Sequence, residues 1–232
     1  MKNTALRIAG FCLFCALTAG IYSFSAGRPR GPERPESPER SAQINNSGEE
    51  VHARLLAGKK RSLIAYAGDY HSFTLEAGGK EVKPSDVPGF INIDKQIIQS
   101  TLVPVDKSFD LTRMTPSREK EILTRYMNYE LGYYRKKLKQ NYSNLQTEWV
   151  TFQGRLFLVW YFDMPKNYKL VSQQMYFSTL FFDQVMDLNA PVFSSSEFNH
   201  ARAILTKLAG SMKTYDKKLD LGALQKKLNQ KG

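Results

Sequence analysis

Three histidines, His52, His71 and His200, are the side chains of this 232-residue chain best suited to proton transfer or metal ligation, and no two stand at ligand spacing. Asp69 lies just before His71 and, with a serine, would supply the residue types of a nucleophilic triad. The Gly-x-Ser-x-Gly elbow that presents such a serine is missing from the sequence. Gly78, Gly79 and Lys80 lack the leading glycine and the Ser or Thr of a phosphate loop, so they read as a turn. Asp94, Asp106 and Asp110 read as loop or strand acids with no pairing signal. The only cysteines, Cys12 and Cys15, lie in the N-terminal apolar run, so the folded domain has neither a thiolate nucleophile nor a disulfide. No metal and no cofactor is expected from these residues.

A second cluster points to contact and not to catalysis. Tyr126, Tyr129, Tyr133, Tyr134, Arg135, Lys136, Lys137, Lys139 and Tyr142 interleave aromatic rings with cations. Such a pattern suits a lipid headgroup layer or stacked bases with phosphate beside them. It equally suits a packing helix whose tyrosines cover a sheet while its cations complement the negative helix end. Arg135, Lys136, Lys137 and Lys139 are the candidate contact with an anionic surface. The 33 Lys and Arg against 22 Asp and Glu, a net charge of +11, favour anionic partners without choosing among them.

These residues need elements to hold them. The segment from Ser117 to about Gln140 reads as a helix, with Thr115 or Ser117 as cap and Pro116 in the first turn. Leu123, Met127, Leu131, Tyr134 and Leu138 form its apolar stripe. Ser62 to Ala67 and His71 to Glu76 read as short strands, and Phe90 to Val105 as extended structure whose alternation slips around Gln96. Glu148 to Phe152 and Arg155 to Phe162 flank Gln153 and Gly154 as a hairpin, with Trp160 facing the core and Phe157 or Tyr161 on the opposite face. Leu170 to Phe182 continues as a long strand, and after a break Val185 to Leu188 follows, with Asn189, Ala190 and Pro191 ending the sheet. Ser194 and Glu197 have capping-box spacing ahead of a last helix faced by Phe198, Ala201, Leu205, Leu208 and Met212. The Lys-rich stretch 217–232 is expected as a basic, frayed amphipathic tail.

Strands, a helix, at least three antiparallel strands and a helix make an α+β fold, an antiparallel sheet packed against helices, over 51–216. The helix, the phrase from Phe152 through Gly154, Arg155 and Trp160 to Phe162, the long strand closing at Leu188 to Val192, and the last helix ending at Met212 and Lys213 resemble the PsbP-like superfamily over residues 70–215. The resemblance implies a PsbP-like sandwich and an accessory or binding role. It carries no site residue over to this chain.

Ahead of the domain, Ile8 to Gly27 is uncharged and reaches about 30 Å as a helix, enough to span a bilayer. With Lys2 and Arg7 before it and Ser23 and Ser25 near its end, segment 1–27 reads either as a cleaved signal peptide or as a retained membrane anchor. Phe11 and Phe14, which precede the two cysteines, do not fit a lipoprotein box. Arg28, Arg30, Arg34 and Arg40 outweigh Lys2 and Arg7, which keeps the reverse, cytoplasmic orientation open as the alternative to export. Segment 28–50, with Pro29, Pro32, Pro35 and Pro38 three apart, reads as an extended linker. Asn45 and Asn141 head Asn-x-Ser sequons.

The expected function is a non-catalytic binding or accessory module, exported to or tethered at a membrane, with its domain in the periplasm or secreted. Its partner would be an envelope protein or membrane complex, or anionic lipid, and export disfavours nucleic acid. The alternatives are a small envelope hydrolase, and a cytoplasmically oriented basic protein that binds anionic lipid or nucleic acid.

Overall fold

A computed structural model describes residues 49, 51–85, 89–136, 139, 141–166 and 170–230. The anchor or signal segment 1–27, the linker up to residue 48, Glu50, Lys137, Leu138 and Gln140 lie outside the described residues.

The chain opens with six strands, β1 (His52–Leu56), β2 (Ser62–Ala67), β3 (Ser72–Ala77), β4 (Val82–Pro84), β5 (Phe90–Ile93) and β6 (Gln96–Pro104). Helix α1 (Pro116–Lys136) follows, then β7 (Ser143–Phe152), β8 (Arg155–Asp163), β9 (Gln173–Phe181) and β10 (Gln184–Val192). Helix α2 (Phe198–Gly210), β11 (Lys213–Tyr215) and helix α3 (Leu221–Gln230) close it. The strands form two antiparallel sheets, one of four in the order β1-β2-β3-β11 and one of seven in the order β4-β5-β6-β10-β9-β8-β7. The fold is α+β, as the order of elements implies.

The seven-stranded sheet is covered on both faces, and strand alternation decides which side chain goes where. On β8, Phe157 and Val159 join Ile64, Phe73 and Leu75 of the small sheet and Ala201, Leu205 and Leu208 of α2 in one apolar cluster. The intervening Leu158, Trp160 and Phe162 join Leu123, Met127, Leu131 and Tyr134 of α1 in another. Trp160 is wholly buried and Tyr161 packs against the opposite cluster, as a period of two requires. The Tyr66 hydroxyl donates to the Ser100 carbonyl at 3.1 Å and so links the two sheets.

Turn chemistry sets the registers. Gln153 and Gly154 both have positive φ, 49° and 79°, the conformation that suits a two-residue hairpin loop, and glycine carries it without steric cost. The slip around Gln96 is a second such turn: Asp94 and Lys95 have φ of 48° and 72°, and Phe90 to Val105 folds as the β5/β6 hairpin and not as one extended run. Thr115 caps α1, its Oγ1 accepting from the Arg118 amide at 3.2 Å.

Three expectations need correction. Asn189, Ala190 and Pro191 do not end the sheet, since β10 stays paired with β9 as far as Val192. Pro191 is tolerated because the β6 ladder ends at Asn189, and the Pro191 carbonyl on that side accepts instead from Gln96 Nε2 at 2.8 Å. Ser194 forms no capping box, because Ser195–Glu197 is a 3-10 turn ahead of α2 and the Ser194 side chain makes no cap hydrogen bond. Finally, the stretch expected as a frayed tail is folded: β11 extends the small sheet, and α3 lays Leu221, Leu224 and Leu228 on Leu56, Leu63 and Ala65.

Trp160 anchors the α1 side of the sheet, its ring stacked on Tyr176 at 3.8 Å and its Nε1 donating to Ser178 Oγ at 3.0 Å. Trp160→Ala should cost on the order of 3 to 5 kcal/mol in urea unfolding, and Trp160→Phe, which keeps the ring stack but loses the donor, clearly less. A Trp160→Ala cost within about 0.5 kcal/mol of zero, the range of ordinary surface changes, would contradict the packing described.

Candidate functional site

The basic end of α1 is only partly a surface. Arg135 and Lys136 are exposed in its last turn, and Lys139 is exposed beyond it with φ of 51°, while Lys137 is outside the described residues. The Arg135 guanidinium lies over the Tyr142 ring at 4.5 Å, and Tyr142 in turn packs on Phe162. Tyr134 is buried, its hydroxyl 2.5 Å from that of Tyr176 on β9. Tyr129 is exposed, whereas Tyr126, Tyr133 and Tyr142 are half-buried. Packing therefore explains part of the aromatic pattern, and the exposed cations remain available to a partner.

The histidines are held apart by structural contacts. His71 Nδ1 is 2.7 Å from Glu49 Oε2, and Phe182 covers the imidazole with a centroid distance of 3.6 Å. His200 Nε2 lies 3.3 Å from the Asp94 carbonyl. Asp69 pairs with Lys218 at 2.6 Å and not with His71. Asp106 faces Arg125 at 3.4 Å, and Asp110 accepts from Thr112. Among the described residues no three His, Cys, Asp or Glu side chains are grouped to hold a metal ion.

What the sequence reading missed lies beneath α1. Val185, Asp187 and Asn189 alternate onto the face of β10 that meets the helix, and Asp187 is wholly buried. Trp160 Nε1 donates to Ser178 Oγ, and Ser178 donates to Asp187 Oδ1 at 2.5 Å. Asn189 Nδ2 approaches Asp187 Oδ2 at 3.4 Å and Gln99 Oε1 at 3.3 Å. From the helix side comes Glu130, only 8% exposed. Burial pushes its carboxyl up to about 8, with the Asp187 charge adding to the rise. Burial likewise raises Asp187 to about 7, against the opposing hydrogen bonds of Ser178 and Asn189.

Glu130 also lines a cavity of about 310 Å³ between α1 and the ends of β6 and β10, at the lower end of the range for small-molecule sites. Val103, Val105, Phe109, Ile122 and Val185 supply apolar wall, and Arg125 and Asp106 stand at its edge. The guanidiniums of Arg118 and Arg125 lie over the Phe109 ring at 4.9 and 5.1 Å, holding that wall against the helix. A second hollow, lined by Glu119, Arg155 and Lys213, is polar and more open. There the Arg155 guanidinium donates to the Leu180 carbonyl at 2.7 Å, and its charge opposes the upward push of burial on Glu119.

The signal for Glu130 was present in the helix period. It falls three residues after Met127 and four before Tyr134, on the apolar stripe itself, where an acid is out of place. Asp187 interrupts the apolar run Val185 to Leu188 in the same manner.

No family model matches the chain, and no curated protein matches it. Among solved structures it is similar to the solution structure of cyanobacterial PsbP (CyanoP) from Synechocystis sp. PCC 6803, at 10% sequence identity and a TM-score of 0.43, with 68% of this chain and 95% of that chain covered. Among the described residues no helix is long and apolar enough to cross a membrane.

The two raised carboxyls make stability fall with pH. The folded state keeps protons that the unfolded chain releases, so the stabilisation is complete below the ordinary carboxylate range and is lost as pH rises through about 7 for Asp187 and about 8 for Glu130. The melting temperature should therefore drop between about pH 5 and pH 8.5, and Glu130→Gln should flatten that drop and exceed the parent at the upper end. A melting temperature that climbs over this interval, or equal slopes in parent and variant, would contradict the assignment.

Proposed function

We propose that the protein is a non-catalytic binding or accessory module, exported or held at a membrane by segment 1–27, with its folded domain on the outer side. The observation that carries this reading is the character of the cavity beneath α1. Its walls are mainly apolar, its lining includes no Ser, Cys, His or Lys, and its cation, Arg125, is already held by Asp106 and the Phe109 ring. Asp187 is sealed behind Glu130, and the other carboxylate of the lining, Asp106, is paired with Arg125, so the cavity offers no free pair of carboxyls for acid and base chemistry. The hydrolase alternative gains no support from such a lining.

Toward its partner, an envelope protein, membrane complex or anionic lipid surface, the module would present the exposed end of α1. Arg135, Lys136 and Lys139 stand in solvent there, with Lys137 between them in sequence. Exposed cations of this kind lower the free energy of contact with an anionic membrane by about 1 kcal/mol each. Replacing Lys136, Lys137 and Lys139 by Gln should lower association with phosphatidylserine-containing vesicles by roughly two powers of ten, and added salt should weaken the parent. Vesicle binding that is absent, or equal in parent and variant, would assign these cations to the helix C-terminus alone and remove anionic lipid from the reading.

A further inference from the structure

Glu130 is a buried acid for which the protein supplies no counter-charge. The residue is 8% exposed and lines the cavity, and among the described residues its carboxyl has no hydrogen-bond or ion-pair partner. The charged group that acts on it from the sheet is another acid, Asp187, whose oxygens are approached by Ser178 and Asn189. The cation at the edge, Arg125, is engaged by Asp106, by Ser108 Oγ at 3.1 Å and by the Phe109 ring. A carboxyl with one buried acid on one side and apolar wall on the other is best stabilised in its ionised form by a positively charged hydrogen-bond donor arriving through the cavity.

We propose that the cavity beneath α1 binds a small apolar amine, its ammonium group against the Glu130 carboxylate and its hydrocarbon body against Val103, Phe109, Ile122 and Val185. This rests on the reading of the protein as a binding module and adds the chemical class of its ligand. The size of the cavity limits the ligand to a short chain or a single ring, and the apolar wall selects against a strongly hydrated cation such as a free metal ion. The ammonium supplies three donors to an acceptor that has none, which removes the penalty of an unsatisfied buried carboxylate.

The test uses the full chain and three probes of matched length, n-hexylamine, 1-hexanol and hexanoate, titrated calorimetrically into the parent and into Glu130→Gln. The amine should bind the parent on the order of ten-fold more tightly than the alcohol, as expected for a charge-assisted hydrogen bond partly offset by ionising the acid. In Glu130→Gln the amine should lose that advantage while the alcohol keeps its affinity, which also shows that the variant is folded and its cavity intact. Equal binding of amine and alcohol to the parent would overturn the amine assignment and leave a binding cavity of other chemistry. Preference for hexanoate would overturn it in favour of Arg125 as the anchor. Binding of none of the three would overturn both the assignment and the cavity as the module's ligand site.

Discussion

The hydrogen-bonded chain from Trp160 through Ser178 to Asp187 lies in the middle of a sheet that is covered on both faces, and neither end of it reaches water. A carboxyl placed there has few physical options. It must be neutral, or it must be supplied with donors, and the structure does part of each: Ser178 and Asn189 approach its oxygens while burial favours the protonated form. The position of α1 depends on this arrangement. The helix lays Leu123, Met127, Leu131 and Tyr134 over the same face, and the contact of the Tyr134 and Tyr176 hydroxyls adds a polar tie at its C-terminal half.

Glu130 is the consequence that reaches the surface. A leucine on the same stripe would have closed the helix against β10 with apolar contact throughout. An acid there adds a second buried carboxyl on the same side of the sheet, and the charge of Asp187 adds to burial in disfavouring ionisation of Glu130. The Phe109 wall, held by two guanidiniums, keeps the space in front of Glu130 apolar and small. Fold and candidate site are therefore one construction, in which a helix leaning on a sheet leaves a cavity where its single charged stripe residue points.

Much of this construction was legible in the amino-acid order because each strand or helix repeats its period several times. The alternation of Leu156 to Phe162 gave Trp160 its side, and the three-and-four spacing of Leu123 to Tyr134 gave α1 its buried face. What escaped reading depended on contacts distant in sequence. Asn189 to Pro191 resembled a strand end because proline and asparagine usually mark one, and only the early finish of β6 shows why they remain in the ladder. The α3 segment resembled a tail because its leucines have meaning only once β1 and β2 present an apolar outer face. Glu130 and Asp187 were hidden because an apolar pattern was counted for what it contained and not for what interrupted it. The basic cluster was conspicuous in sequence, yet stacking on Tyr142 already occupies one of its cations.

Two buried carboxyls, Glu130 on the helix and Asp187 on the sheet, hold their protons above the ordinary carboxylate range. The most direct measurement is a side-chain carboxyl titration by carbon-13 NMR, made on the folded parent, on Glu130→Gln and on Asp187→Asn. Two carboxyl resonances should move only near pH 7 to 8, one absent from each variant, with the remaining one titrating lower in Asp187→Asn because its like-charged neighbour has gone. A parent in which every carboxyl resonance has finished moving below about pH 5, the ordinary range for exposed acids, would contradict that expectation.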